Sequence, residues 1–315
     1  MRETKVESAA AVRLDNYLQK LFPAMGIGRW NRALRENKIK LNGKKQPLST
    51  RVQTGDVIRL FVPDEQLGLG QPDGPAFLRA RCPGEVAYED DQLLVCVKPA
   101  GLAVYGDEAD TLLNRALLYL YQSGFYRPGD AFAPFLCHRL DTGTSGLVMV
   151  AKTAGALAKM EELIRRRTVK KEYLCVTFGR PKPAAGTLGG YLQKDAARGI
   201  VRILPSPRPG AKPVETRYET VAVSGRLALL QVELITGRTH QIRAHMASIG
   251  CPILGDSKYG SQAANRELKL KYQALCAWQL TFPVMEEPEF AALSGRVIRA
   301  PLPWYAEQVK NQTLK

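Results

Sequence analysis

A continuous apolar run, Leu147–Ala151, is the feature that most constrains the fold, because such a run is typical of a strand buried on both faces. A similar run covers Leu93–Val97, and the segments Val214–Val223 and Leu227–Ile235 predict two paired strands joined by a short turn. Strands outnumber helices here, and the turns are too short for repeated helical crossovers. The sequence therefore predicts an α+β fold in which a mainly antiparallel mixed sheet is flanked by a few helices.

The chain of 315 residues has room for one large domain and a smaller one. Residues 1–63 are strongly basic, and the stretch that follows is rich in Gly and Pro. We predict a small basic α+β domain at 1–63, a linker at 64–84, a large domain carrying the sheet at 85–305, and a tail at 306–315.

The net charge of +15 favours a polyanionic partner, which is either nucleic acid or an anionic membrane. No basic amphipathic helix of the membrane-surface type stands out, and no apolar stretch approaches the ~18–20 residues of a membrane span. The first residues also lack the apolar segment of a signal peptide. We therefore expect a cytoplasmic protein that binds nucleic acid and no membrane.

The six cysteines include no Cys-x-x-Cys pair, and several lie in apolar strand-like runs, which indicates reduced core side chains. His240 and His245 are five residues apart, which is not the spacing of a helical metal pair. The Gly-Leu-Gly at 68–70 is not a dinucleotide loop, because the nearby prolines forbid the helix that such a loop requires. We predict no metal, no cofactor and a monomer.

Residues 1–63 contain thirteen Lys or Arg and only five Asp or Glu, a net charge of +8. A helix predicted over residues 28–37 repeats arginine every third position, and a strand after it runs into an Asn-Gly turn. This order is similar to the alpha-L RNA-binding domain shared with a small-subunit ribosomal protein, in which the helix pair grips RNA backbone. The alternative is a small domain with a solvated basic face. The residues predicted to contact phosphate are Arg29, Arg32, Arg35, Lys38 and Lys44.

Asp141 stands between an apolar approach and a turn dense in Gly, Ser and Thr, at the start of the strand Leu147–Ala151. An isolated Asp in such a place most simply caps the turn. The whole stretch from residue 138, His-Arg-Leu-Asp-Thr-Gly-Thr-Ser-Gly-Leu, resembles the active-site signature of the RluA family of pseudouridine synthases. The resemblance implies that Asp141 is catalytic and that Arg139 fills the space vacated by a flipped base.

Further stretches resemble other motifs of that family in the same order. They are Lys98-Pro99, Lys171-Glu-Tyr173, and the segment from Gly237 that contains Arg243 and continues to Gly255-Asp. The resemblance implies that Tyr173 stacks near the target base and that Arg243 pairs with Asp141. Cys276 departs from the family pattern, which usually has His there. The cationic cluster at 165–171 is as consistent with a helix C-terminus as with RNA contact.

The resemblance implies an RNA pseudouridine synthase that acts on a flipped-out uridine, most simply in large-subunit ribosomal RNA, because the front domain is basic. Three alternatives remain open. They are a synthase for tRNA, a non-catalytic RNA-binding or ribosome-associated protein, and a hydrolase that uses Asp141 as nucleophile. The hydrolase would need a general acid, and none is evident in these motifs.

Overall fold

The computed structural model describes residues 1–7, 11–22, 25–64, 66–69, 74–195 and 198–314. The chain divides into two units, Met1–Gly74 and Pro75–Lys315, each with its own hydrophobic core. The division falls inside the predicted linker 64–84, but this stretch also contains a regular element. Ala76–Arg79 forms a 3-10 helix, and its Phe77 is buried in the core of the second unit.

The first unit packs two helices against short strands. Its elements are β1 (Arg2–Lys5), β2 (Val12–Arg13), α1 (Leu14–Leu21), α2 (Ile27–Arg35), β3 (Ile39–Leu41), β4 (Arg51–Val52) and β5 (Val57–Leu60). Strands β1, β5 and β3 form an antiparallel sheet, and β2 pairs with β4. Asn42 and Gly43 both have positive φ, as the predicted Asn-Gly turn requires. Leu14, Leu18 and Trp30 are fully buried between the helices and the sheet.

The second unit contains a large sheet with helices on both faces. Its strands are β6 (Val86–Glu89), β7 (Leu93–Lys98), β8 (Phe135–Leu136), β9 (Ser145–Ala151), β10 (Lys170–Phe178), β11 (Ala185–Asp195), β12 (Ile200–Leu204), β13 (Lys212–Ser224), β14 (Leu227–Leu234), β15 (Leu275–Thr281) and β16 (Val297–Arg299). Its helices are α3 (Leu112–Gln122), α4 (Ala154–Arg166), α5 (Gln241–Ser248), α6 (Gln262–Glu267) and α7 (Trp304–Lys310), and Pro288–Phe290 is a 3-10 turn.

The strands follow the order β12-β11-β13-β14-β10-β15-β9-β7-β6, with β16 beside β15 and β8 beside β9. Among the described strands, the pairing of β9 with β15 is parallel, and all other pairings are antiparallel. The predicted fold class, an α+β fold with a mainly antiparallel mixed sheet, is confirmed. The β10, β15 and β9 strands lie at the centre, so they provide a rigid base for a site.

Alternate residues of the central strands point to two different cores. Leu174 and Val176 of β10 join the core that includes α4 and α7, whereas Tyr173 and Cys175 join the core that includes α3 and α5. Tyr173 and Leu174 therefore face opposite sides of the sheet, and both sides are apolar. Burial on both faces explains why these strands are continuous apolar runs.

The predicted tail at 306–315 differs from the structure, because α7 occupies Trp304–Lys310. Ala306 and Val309 are fully buried in the core, and the hydroxyl of Tyr305 donates to the carbonyl of Leu174 at 3.1 Å. The apolar pattern here is only two turns long, which is too short to predict a helix reliably from periodicity. The end of the chain is thus part of the sheet's support.

Three further features concern the cysteines, membrane spans and metal sites. All six cysteines are free, and Cys82 is exposed rather than in the core. Within the described ranges, no helix is long and apolar enough to cross a membrane. Over the same ranges, no three His, Cys, Asp or Glu side chains cluster closely enough to hold a metal ion.

Candidate active site

Asp141 lies in the loop that joins β8 to β9, at the edge of the central sheet. Its carbonyl accepts from the backbone N–H of Thr144 at 3.0 Å, which closes the turn. Gly146 follows with φ +110°, and a Cβ at this position would lie 2.2 Å from the carbonyl oxygen of Ala277. Glycine is therefore required for β9 to begin beside β15, and this close approach places the Asp141 loop.

Lys98 holds the Asp141 loop through hydrogen bonds to backbone carbonyls. Its side chain is fully buried, and Nζ donates to the carbonyls of Pro99, Leu102 and Thr142 at 2.9, 2.8 and 3.0 Å. Burial lowers the pKa of Lys98 to about 8, although the negative charge of Asp141 opposes this shift. Since Thr142 follows Asp141 directly, the end of β7 is tied to the backbone beside the carboxylate.

Arg243 connects Asp141 to a second carboxylate, Asp256. Its Nη1 donates to Oδ2 of Asp141 at 2.8 Å, while Nε and Nη2 donate to the two oxygens of Asp256 at 2.7 and 2.9 Å. Oδ1 of Asp256 also accepts from the backbone N–H groups of Lys258 and Tyr259. Burial alone would lower the pKa of Arg243, but the two carboxylates raise it above its ordinary value. The guanidinium is therefore a fixed cation beside Asp141, held in a bidentate pair.

His240 and Tyr259 stand on another side of the same carboxylate. His240 Nε2 lies 3.7 Å from Oδ2 of Asp141, and Nδ1 lies 3.0 Å from the hydroxyl oxygen of Tyr259. That oxygen also accepts from the backbone N–H of Val201 at 2.7 Å. Burial lowers the pKa of His240, against the charge of Asp141, so the ring is neutral near pH 7.

Tyr173 lies on β10 next to a bulge in its pairing with β15, and it is 6% exposed. Burial, reinforced by the negative charge of Asp141, raises its pKa above the ordinary value, so the side chain is a neutral phenol. The ring lines the same cavity as Asp141. It thus offers a flat apolar surface close to the carboxylate.

The cavity has a volume of about 490 Å³, which is typical of a site for a small molecule or a single nucleoside. Asp141, Tyr173, His240 and Arg243 line it. Its other cationic lining residues are Arg139, Arg165, Arg167, Lys170, Lys171 and Arg238. The cluster at the end of α4 and the start of β10 therefore faces this cavity, and the surplus of positive charge suits an anionic ligand.

Arg139 is at the exposed part of the site. Its Nη1 donates to the hydroxyl of Tyr105 at 3.0 Å, and its guanidinium lies 5.5 Å from the centre of the Tyr105 ring. Tyr105 itself is 52% exposed. The predicted base-replacing residue is thus at the cavity, where a neighbouring aromatic side chain holds it.

The predicted phosphate contacts of the first unit lie on α2 and in the residues that follow it. Arg35 and Lys44 are exposed. Arg32 and Lys38 both pair with Glu36, at 2.9 and 2.6 Å, which lowers the pKa of Glu36 to about 2. The cationic stripe formed by Arg29, Arg32 and Arg35 therefore has the carboxylate of Glu36 beside it, which the periodicity of the arginines alone does not reveal.

Four residues of the site were not among the sequence-based candidates: Lys98, His240, Asp256 and Tyr259. The first three stand inside motifs that resemble those of the RluA family, so position within a motif was the available signal. Tyr259 had none. Cys276 belongs to the core on the other side of the sheet and is not among the residues that line the cavity.

Comparisons with known proteins bear on the family of this chain. A family model described as RNA pseudouridylate synthase matches residues 92–248. An RNA pseudouridine synthase of Mycoplasma pneumoniae, itself described as uncharacterised, is 33% identical over 313 residues, and the match covers 96% of this chain and 96% of that protein. Ribosomal large subunit pseudouridine synthase C of Rickettsia bellii is 36% identical over 267 residues, covering 81% of this chain and 85% of that protein.

Among solved structures, human RNA pseudouridylate synthase domain containing 4 matches with 26% identity and a TM-score of 0.57. The match covers 75% of this chain and 94% of that one. The Mycoplasma pneumoniae relative covers both units, whereas the family model lies within the second unit. The chain therefore belongs to the RluA-type family of RNA pseudouridine synthases, which are isomerases that act on RNA.

Proposed function

We propose that this protein converts uridine to pseudouridine in large-subunit ribosomal RNA and that Asp141 is the reacting carboxylate. The observation that carries the proposal is the Asp141–Arg243 pair at 2.8 Å, in a cationic cavity with room for one nucleoside. The choice of RNA is supported by the relatives named as ribosomal large subunit pseudouridine synthases.

The reaction breaks the bond between C1′ of ribose and N1 of uracil, turns the base, and joins C5 to C1′. The proton on C5 is lost and N1 gains one, so the atoms balance without a redox partner. A carboxylate supports this chemistry as a nucleophile or as a base. Arg243 keeps the Asp141 carboxylate oriented, because its Nη1 donates to Oδ2 at 2.8 Å while Asp256 holds the guanidinium from its other edge.

The target uridine reaches the cavity only when it leaves the base stack, at a cost of a few kcal/mol. Tyr173 then stacks on the uracil, since its ring lines the cavity next to Asp141. Arg139 enters the space that the base leaves, after release from Tyr105. The cationic residues that line the cavity contact the phosphates on either side of the target uridine.

The first unit supplies affinity that does not depend on sequence, through Arg29, Arg32, Arg35, Lys38 and Lys44. The protein is proposed to act as a monomer. A protein that modifies ribosomal RNA meets it in the cytoplasm, which is the location we propose.

The test is tritium release from RNA labelled with tritium at C5 of uridine, measured separately on ribosomal RNA and tRNA. Asp141→Asn keeps the size of the side chain and should abolish release, while Asp195→Asn, a carboxylate outside the cavity, should release tritium like the wild type. A general base contributes roughly 10²–10⁴-fold to a reaction rate, so a larger loss of tritium release in Asp141→Asn would indicate a covalent role for Asp141.

The separate measurements on ribosomal RNA and tRNA discriminate between the remaining alternatives. Release from tRNA alone would replace ribosomal RNA as the substrate. Absence of release from both RNAs, together with tight RNA binding by a correctly folded protein, would leave a non-catalytic RNA-binding protein. Release that persists in Asp141→Asn would remove Asp141 from the chemistry.

A further inference from the structure

We infer that His240 is a positioning residue. Its hydrogen bond with Tyr259 keeps the imidazole hydrogen on Nε2, so that the N–H of Nε2 faces Oδ2 of Asp141. Oδ1 of Asp141 is then the oxygen that meets the substrate. The inference deepens the proposed function and rests on Asp141 as the reacting group.

The tautomer follows from the hydrogen bonds of Tyr259. The backbone N–H of Val201 donates to the phenolic oxygen at 2.7 Å, so that oxygen already serves as an acceptor. Within the described residues, the acceptor within reach of the phenolic hydrogen is Nδ1 of His240, at 3.0 Å. A neutral imidazole that accepts at Nδ1 carries its hydrogen on Nε2.

The ring of His240 is also fixed in place. The residue precedes α5 in the left-handed conformation, with φ +55°, and its ring meets the Tyr259 ring edge-on with centroids 5.7 Å apart. The charged groups around it are Asp141, Arg243, Lys258 and Asp256. Burial lowers the pKa of His240 most, the two cations act in the same direction, and the two carboxylates act against it.

The two oxygens of Asp141 have different surroundings. Arg243 Nη1 and His240 Nε2 both face Oδ2, at 2.8 and 3.7 Å. Over the described part of the chain, no donor reaches Oδ1. The 3.7 Å separation is longer than a hydrogen bond, but such contacts in free enzymes commonly tighten when substrate binds. Two donors on one oxygen leave the lone pairs of the other for the reaction.

The first test is NMR of protein labelled with ¹⁵N in its three histidines, using long-range ¹⁵N–¹H correlations that distinguish the tautomers. The signals of His240 are assigned as those that vanish in His240→Gln. We expect wild-type His240 to be protonated at Nε2 and Tyr259→Phe to show both tautomers. Protonation at Nδ1 in the wild type, or an unchanged spectrum in Tyr259→Phe, would overturn the inference.

The second test compares two amides at the same position. In His240→Gln the amide nitrogen reaches about as far as Nε2 and can still donate to Asp141. In His240→Asn it reaches only as far as Nδ1, although Asn tolerates the left-handed backbone well. We expect the single-turnover rate at saturating RNA to fall by up to about 100-fold in His240→Asn, as for a misplaced reacting group, and to recover in His240→Gln.

RNA affinity and thermal stability should stay near wild type in both variants, because neither amide changes the phosphate contacts. A wild-type rate in His240→Asn, or equal losses in the two variants, would overturn the inference. A wild type that releases no tritium from any RNA would instead remove the proposed function, and the NMR result would still report the tautomer by itself.

Discussion

Asp256 is fully buried and yet charged, because Arg243 and two backbone N–H groups meet its carboxylate. Removal of Asp256 takes away the bidentate partner of the buried Arg243 guanidinium and leaves it with the single contact to Asp141. We expect Asp256→Ala to lower the free energy of unfolding by about 3–5 kcal/mol, measured by urea denaturation. Glu162→Ala, which breaks the exposed i,i+4 pair with Arg166, should cost less than about 1 kcal/mol. Equal losses in the two variants would contradict this account.

His245 is 1% exposed, and Nε2 has no hydrogen-bond partner among the described residues, while Nδ1 meets Thr216 at 2.8 Å. Burial lowers its pKa to about 4, whereas in the unfolded chain it is about 6.5. As the pH falls from about 6.5 to about 4, the unfolded state takes up a proton that the folded state excludes. Stability is therefore lost on acidification in this window.

Replacement of His245 by Asn retains a polar atom near Thr216 and removes the titrating group. Between pH 6.5 and 4 the free energy of unfolding should then fall less steeply in the variant than in the wild type. The two slopes should differ by about 1.4 kcal/mol per pH unit. Urea titrations at several pH values measure this difference, in which the other histidines cancel. Parallel curves for the two proteins would show that His245 does not titrate as described.

At the scale of elements, the parallel pairing of β9 with β15 places the Asp141 loop beside the residues that precede β15. The pairing is short and joins Ser145 to Cys276 and Gly146 to Ala277. A side chain at 146 would collide with backbone and would also require a strained φ. We expect Gly146→Ala to destabilise the protein by about 2–5 kcal/mol in urea unfolding.

Gly155 of α4 is the matched control, because a Cβ there would meet nothing within 4 Å. Gly155→Ala should leave the stability unchanged or raise it by up to about 1 kcal/mol. A mild effect of Gly146→Ala would mean that β9 can shift away from β15, and the loop would then not depend on this pairing.

At the scale of the whole molecule, more than half of the net charge of +15 belongs to residues 1–63. If α2 and its neighbours contact phosphates, reversal of Arg29, Arg32 and Arg35 to Glu should flatten the slope of log affinity against log salt by roughly 2. The same reversal at Arg208, Lys212 and Lys310, exposed residues of the second unit outside the cavity, changes the net charge equally. Equal flattening in both triple variants would point to overall charge rather than to the stripe.

The resemblance to the RluA family is confirmed by the relatives, and several elements lie within a few residues of their predictions. The buried strands predicted at Leu93–Val97 and Leu147–Ala151 occur as β7, Leu93–Lys98, and β9, Ser145–Ala151. Apolar periodicity and chain-breaking residues are local properties, so the sequence alone was enough for them. The comparison with the alpha-L domain and the roles of Asp141, Tyr173 and Arg243 stay predictions.

The sequence by itself determined which segments become buried strands and which stretches carry the site, because both depend on neighbouring residues. Only the tertiary structure decided the partners. Asp256 completes the pair that the family resemblance had already implied for Arg243 and Asp141, and the hydroxyl of Tyr259 meets Nδ1 of His240 from a loop without any recognisable pattern. The ordered end of the chain was likewise decided by tertiary packing, since α7 packs on β10. Such contacts join residues that are distant along the chain, and no periodicity or spacing encodes them.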